Sequence, residues 1–216
     1  MGLPHPKQYG RLGAKTMLEH AIDTLLAAER IERVLVVVAG ADSAYQSLPL
    51  KVRVTCAPIG GATRADSVNN GLRELLGTHG AKAQDWVLVH DAARPCLAAA
   101  ELTRLIEALE HDDVGGLLAV PLADTLKRAD DATRVAATVP REHLWRAVTP
   151  QMFRIGALMS ALSDPKLRAT ATDEAAAIEA GGARPRLIEA LATNIKVTRP
   201  DDWPLAEAIL RLQGRL

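Results

Sequence analysis

The chain has 216 residues and a mass of 23.1 kDa, enough for one domain (residues 1–216) with a sizeable core. Its 26 basic and 26 acidic residues give a formal net charge of zero, which speaks against a nucleic-acid partner held by counterion release. Aromatics, at 3 %, are too few to stack single-stranded bases, and the longest apolar stretches, such as Val34–Ala39 and Val114–Val120, fall far short of a membrane span.

In chain order, Met1–Lys7 shows no apolar core of a signal peptide, and Pro6 speaks against a myristoylation signal. Thr16-Met17-Leu18-Glu19 has the form of a capping box and predicts a first helix ending near Glu29. Val34–Val38 and Trp86–His90 are apolar without alternation, as in strands covered on both faces. Further strands are predicted at Val52–Cys56, Gly115–Pro121, Arg146–Thr149, Arg186–Glu189 and Asn194–Val197. Helices are predicted at about Arg64–Leu76, Leu97–Glu110, Ile155–Leu162, Asp173–Ala180 and from Asp201 onward. The polar stretch Asp124–His143, with a turn at Asp130-Asp131, reads as a projecting β-hairpin arm. The alternation predicts an α/β fold, a doubly wound, mostly parallel sheet with helices on both faces, whose ligands bind beyond the carboxyl ends of the strands. Cys56 and Cys96 form neither a disulfide framework nor a metal spacing, and the six histidines are scattered, so no protein metal ligands are expected and a reducing cytoplasm is the simplest setting.

Several strand ends and loops carry chemistry. His90-Asp91-Ala92-Ala93-Arg94-Pro95 puts an acid and a base three apart beyond a strand. Asp91 could accept from hydroxyls or metal-bound water, and Arg94 could hold a phosphate; a salt bridge closing the loop explains the same residues. Gly60-Gly61-Ala62-Thr63-Arg64-Ala65-Asp66-Ser67 joins a strand to a helix and offers backbone N–H groups with the Arg64 and Ser67 side chains; a Gly-Gly turn and an ordinary N-cap is the plainer reading. Lys7, in a Pro-bounded loop, and Lys196, in Asn194-Ile195-Lys196-Val197-Thr198, read first as solvated lysines. Thr172-Asp173-Glu174 reads first as a helix start, and no histidine is given a role.

Taken together and in order, these segments resemble the 2-C-methyl-D-erythritol 4-phosphate cytidylyltransferases of the non-mevalonate isoprenoid pathway. The resemblance runs from Pro6 to about Ala208. It rests on Pro6-Lys7-Gln8-Tyr9, Arg64-Ala65-Asp66-Ser67-Val68, Val89-His90-Asp91-Ala92-Ala93-Arg94-Pro95, Asp124-Thr125-Leu126-Lys127, Thr149-Pro150-Gln151, Thr172-Asp173-Glu174-Ala175 and Asn194-Ile195-Lys196-Val197-Thr198. It implies a nucleotide-diphospho-sugar-transferase-like fold and attack of a polyol phosphate on the α-phosphorus of CTP, with pyrophosphate leaving. The reaction uses Mg²⁺, or another divalent cation, carried mainly by the CTP phosphates.

By the same resemblance, Lys7 stabilises the transition state, while Arg141 and Lys196 position the attacking phosphate. Gly61 and Ser67 contact the cytosine end, with Arg64 bracing that loop. Asp91, Arg94, Thr125, Thr149 and Thr172 line the substrate pocket. The family's arm exchanges between subunits, which implies a homodimer with Arg141 serving the partner's site. Two departures stand out. Ala62 occupies a position that is commonly acidic in the family, and Met1-Gly2 falls where the family's first strand and Gly-rich triphosphate loop end. The expectation is an internal start or truncation, with about 20 further residues of strand and loop in the working enzyme. Ribitol-5-phosphate cytidylyltransferases share the same motifs, and an inactive nucleotide-binding relative is a further alternative.

Overall fold

A computed structural model describes residues 6–216; the Met1-Gly2 start, and the expectation attached to it, lie outside them. A 3-10 turn at Lys7–Tyr9 leads into a short hairpin, β1 (Arg11–Leu12) and β2 (Lys15–Thr16), which feeds α1 (Met17–Ala27). The predicted capping box is present: the Thr16 hydroxyl accepts the Glu19 N–H at 3.2 Å, and the Glu19 carboxylate accepts the Thr16 N–H at 2.7 Å.

Then follow β3 (Val34–Ala39), β4 (Val54–Gly60), α2 (Arg64–Thr78), β5 (Trp86–Val89), α3 (Ala99–Leu109) and β6 (Gly115–Pro121). The arm carries β7 (Leu126–Ala129) and β8 (Val135–Val139), turned by Asp130, whose carboxylate accepts the N–H groups of Ala132 and Arg134. The chain closes with β9 (Trp145–Arg154), α4 (Ile155–Ala161), α5 (Pro165–Thr170), α6 (Glu174–Ala180), β10 (Arg186–Glu189) and α7 (Asp202–Leu212). No helix among the described residues is long and apolar enough to cross a membrane.

The class is α/β, with a mixed main sheet in the order β10-β6-β9-β5. β10 runs parallel to β6, whereas β9 runs antiparallel to both its neighbours. The connection explains this. β6 passes into β9 through the hairpin arm rather than through a crossover helix, and a strand returning that way must run back along its predecessor. Helices cover both faces of the sheet. Leu117 and Phe153 point into a cluster with Leu72, Leu158 and Ile178, while their neighbours Leu118 and Met152 point into one with Leu105 and Ile188. That reversal between adjacent residues is what the two-residue repeat of a doubly covered strand requires.

Two predictions on strands need correction. The strand predicted at Val52–Cys56 lies at Val54–Gly60. Residues 194–197 form no strand, because individual contacts satisfy their polar groups: the Asn194 and Val197 carbonyls accept from Arg94 and Lys7, and the Val197 N–H donates to Ala93. Among the described residues β3 pairs with β4 alone and β5 with β9 alone. Their remaining edges line one cavity of about 1140 Å³, walled by Leu18, Ile22 and Leu25 of α1 and by Val68, Leu72 and Leu75 of α2. This opening is why all of β5, read from sequence as covered on both faces, is only partly buried.

Candidate functional site

Beyond the carboxyl end of β5 the chain turns through residues 90–95, and Asp91 becomes the hub of a charge cluster. Its Oδ1 accepts from Arg64 Nε at 3.0 Å and its Oδ2 meets Lys196 Nζ at 2.8 Å, with Arg94 Nε 3.9 Å away. Burial alone would raise the pKa of Asp91, but Arg64 and Lys196 outweigh it and hold the carboxyl at about 2. Arg64 stands at the first position of α2, where Thr63 and Asp66 form a capping box: the Thr63 hydroxyl accepts the Asp66 N–H at 3.0 Å. Behind it, Glu174 of α6 grips the guanidinium through both oxygens, at 2.5 and 3.0 Å, and is 2 % exposed. Burial alone would lower the Arg64 pKa, yet Glu174 and Asp91 drive it well above the ordinary value.

Lys7 reaches the same place from the amino end. Its Nζ donates to the Val197 carbonyl at 2.9 Å, next in sequence to Lys196, and Lys7, Arg64, Ser67, Asp91 and Lys196 all border the cavity between β3 and β5. Arg64, Arg94 and Lys196 thus face Asp91, with Glu174 behind Arg64 and Lys7 on the carbonyl next to Lys196, four cations against two carboxylates. Such a surplus suits an anion bearing several charges. Among the described residues no group of three or more His, Cys, Asp or Glu side chains is placed to hold a metal ion.

The Gly60–Ser67 loop abuts this cluster. A Cβ on Gly61 would lie 2.3 Å from the Asp66 Cβ, so only glycine fits the turn. The Gly61 N–H donates to Ser67 Oγ at 3.0 Å, and that hydroxyl spends its proton on the Thr63 carbonyl at 2.9 Å, leaving a lone pair to offer. Arg168 of α5 holds the other side through Asp66, Nε to Oδ1 at 3.0 Å.

The remaining predicted residues separate. Thr149, 4 % exposed, lies where the β6–β9 register shifts, and its hydroxyl reaches the Asp91 N–H at 3.1 Å and His90 Nδ1 at 2.9 Å. Thr172 is exposed beside Asp173, the residue that caps α6 by accepting the Ala176 N–H at 2.9 Å. Thr125 and Arg141 sit on the arm, both exposed; Arg141 donates to the Ala123 carbonyl, and among the described residues neither joins the Asp91 cluster. Three residues given no role from sequence belong to the site: Glu174, His90 and Asn194. Each sits beside or within a quoted motif, and that adjacency was the only signal available. Asn194, fully buried, ties the site together by donating from Nδ2 to the Thr149 carbonyl at 3.0 Å.

Burial pulls the His90 imidazole to about 4, against the neighbouring Asp91 charge, from an ordinary value of 6.5. The unfolded chain therefore binds the extra proton first. The resulting stability is fully present above pH 6.5 and is lost as pH falls toward 4, on the order of 3 kcal/mol. The expected result is a denaturant midpoint that falls across this window in the parent and falls less in His90→Gln; equal slopes would refute it.

The IspD family model, described as 2-C-methyl-D-erythritol 4-phosphate cytidylyltransferase, matches residues 1–212. Proteins given that name in Nitrosomonas eutropha and Laribacter hongkongensis are 51 % and 53 % identical, covering 98 % and 99 % of this chain and 91 % and 92 % of the relatives. Among solved structures, a 4-diphosphocytidyl-2C-methyl-D-erythritol synthase superposes with a TM-score of 0.86 at 43 % identity, covering 94 % of each chain. The Francisella tularensis 2-C-methyl-D-erythritol 4-phosphate cytidylyltransferase superposes with a TM-score of 0.83 at 32 % identity, over 95 % of this chain and 94 % of that one. With its sequence matched almost end to end and its fold shared, this chain belongs to the family of 2-C-methyl-D-erythritol 4-phosphate cytidylyltransferases.

Proposed function

We propose that the chain transfers a cytidylyl group from CTP to 2-C-methyl-D-erythritol 4-phosphate, giving 4-diphosphocytidyl-2-C-methyl-D-erythritol and pyrophosphate. The observation that carries this reading is the gathering of Arg64, Arg94 and Lys196 around Asp91 beyond the end of β5, with Lys7 held on the Val197 carbonyl beside Lys196. An oxygen of the acceptor phosphate bonds to the α-phosphorus as the bond from that phosphorus to the bridging oxygen breaks. The electron pair leaves on pyrophosphate. Negative charge grows on the equatorial and leaving oxygens, and fixed cations beside them stabilise that charge without a covalent intermediate.

In this reading Lys196 exchanges its bond to Asp91 for the incoming phosphate, and Lys7 leaves the Val197 carbonyl for the α-phosphoryl oxygens. Ser67, its proton already committed to Thr63, offers an acceptor lone pair that matches the exocyclic amine of cytosine. Asp91 keeps Arg64 on Oδ1 and gives up Lys196 from Oδ2 only as the phosphate arrives, which fits a divalent cation brought on the triphosphate rather than one caged by protein. Mg²⁺ so carried supplies neutralisation of phosphate charge.

We further propose that the arm pairs two copies of the chain, in the cytoplasm, with Arg141 serving the partner's site. Support comes from the exposure of the arm and its base, with Val135 66 % exposed and Leu144, just after the arm, 37 % exposed, and from the placing of Arg141 outside the Asp91 cluster. A mixture of inactive Arg141→Ala and inactive Lys7→Ala subunits should then recover turnover, because one hybrid site holds both intact residues. No recovery, with subunit exchange confirmed, would confine Arg141 to its own subunit. The acceptor is tested by pyrophosphate release with CTP and either methylerythritol 4-phosphate or ribitol 5-phosphate. Higher kcat/KM with methylerythritol phosphate is expected; preference for ribitol phosphate would overturn the assigned substrate.

A further inference from the structure

The Thr149 hydroxyl sits among three groups whose roles chemistry decides. His90 Nε2 lies 3.1 Å from the Arg94 carbonyl, which can only accept, so Nε2 carries the ring proton. In a neutral ring that leaves Nδ1 as an acceptor, and among the described residues the proton available to it, 2.9 Å away, is that of Thr149. Thr149 Oγ in turn accepts the backbone N–H of Asp91 at 3.1 Å. Hydrogen bonds therefore run in one direction, from the Asp91 amide to Thr149, from Thr149 to His90, and from His90 to the Arg94 carbonyl. They clamp the turn that carries Asp91 from inside.

We propose that His90 and Thr149 are positioning residues that orient Asp91, the carboxylate whose two oxygens hold Arg64 and Lys196. Thr149 has no proton left for a substrate phosphate, so it acts through Asp91 rather than by donating to the acceptor. Its own place is fixed by the shift in the β6–β9 register and by Asn194 on its carbonyl. Loss of the hydroxyl frees the Asp91 backbone to rotate. The error passes to Lys196, and the expected penalty falls on turnover more than on substrate affinity.

The activity readout rests on the cytidylyltransferase reading, so the test pairs it with one that does not. The full chain carrying Thr149→Val, Thr149→Ser, His90→Leu or both His90→Leu and Thr149→Val is assayed for kcat and KM, and the Asp91 amide resonance is followed by ¹H–¹⁵N NMR. Thr149→Val and His90→Leu should each lower kcat about tenfold with KM within about twofold, and Thr149→Ser should stay within about twofold of the parent. The double variant should be no worse than Thr149→Val alone, because the two residues act in series. The Asp91 amide should move in Thr149→Val and remain in place in Thr149→Ser. An unmoved amide, a full additive loss in the double variant, or parental kcat in Thr149→Val would overturn the proposal. If His90→Leu does not fold, the Thr149 pair decides. If the parent itself shows no turnover, the functional reading fails and the amide resonance alone decides the positioning role.

Discussion

Replacing Lys196 or Lys7 with Ala should lower turnover by roughly 10²–10³-fold, equivalent to about 3–4 kcal/mol of lost transition-state stabilisation. The folded state should lose far less. The Lys196 side chain is 41 % exposed in its ion pair with Asp91, and pairs of that exposure contribute about 0–1 kcal/mol. Among the described residues the Lys7 amine makes one hydrogen bond, to the Val197 carbonyl. Both amines are thus held weakly at the border of the cavity between β3 and β5, as expected of charges that act on a ligand. Steady-state kinetics beside denaturant midpoints would separate the two quantities. Turnover within about tenfold of the parent for either variant would remove that lysine from the transition state, since tenfold is only about 1.4 kcal/mol.

Glu174→Ala is expected to have the reverse signature, a large loss of stability together with lost turnover. Glu174 is 2 % exposed and its partner Arg64 is 35 % exposed, so its removal leaves both Nη atoms of a guanidinium that water reaches only in part without their carboxylate, with Asp91 alone still on Nε. Breaking a fully buried pair costs about 3–5 kcal/mol; discounted for the exposure of Arg64, about 2–3 kcal/mol is expected. Arg64, no longer held from behind, would also release Asp91. The check is chemical denaturation of Glu174→Ala beside a double variant with Arg64→Met. The double variant should recover part of the stability, because the part-buried guanidinium that lost its bidentate partner is gone while Asp91 keeps Lys196, and should recover no turnover. A Glu174→Ala midpoint equal to the parent's would show that the pair carries no net stability.

The elements legible in the sequence were those set by local pattern. β6 and β10 fall on the residues predicted, and the Thr16–Glu19 capping box and the hairpin arm are where expected. Each rests on neighbours within a few positions. The direction of β9 was not legible, because it depends on the arm replacing a crossover helix. Nor was the partial exposure of β5, which depends on how far β3 stands from it. The site divides the same way. The motifs named Lys7, Arg64, Asp91, Arg94 and Lys196, but the pairs that organise them join residues far apart in the chain. Arg64 and Glu174 are 110 positions apart, and Thr149 and His90 are 59 apart. No periodicity reports such a pair. Glu174 therefore read as part of a helix start and His90 as a scattered histidine, although one braces the central arginine and the other sets the turn bearing Asp91.

The most direct test of the central claim is ³¹P NMR of one reaction mixture containing the protein, CTP, methylerythritol 4-phosphate and Mg²⁺. The account predicts that CTP and the monoester signals decline together, while two coupled diphosphate-diester resonances and pyrophosphate rise in equal amounts. In Lys196→Ala all four changes should slow alike. Conversion of CTP to CDP or CMP without a diester, or an unchanged spectrum from folded parent protein, would contradict the assignment of cytidylyl transfer to this site.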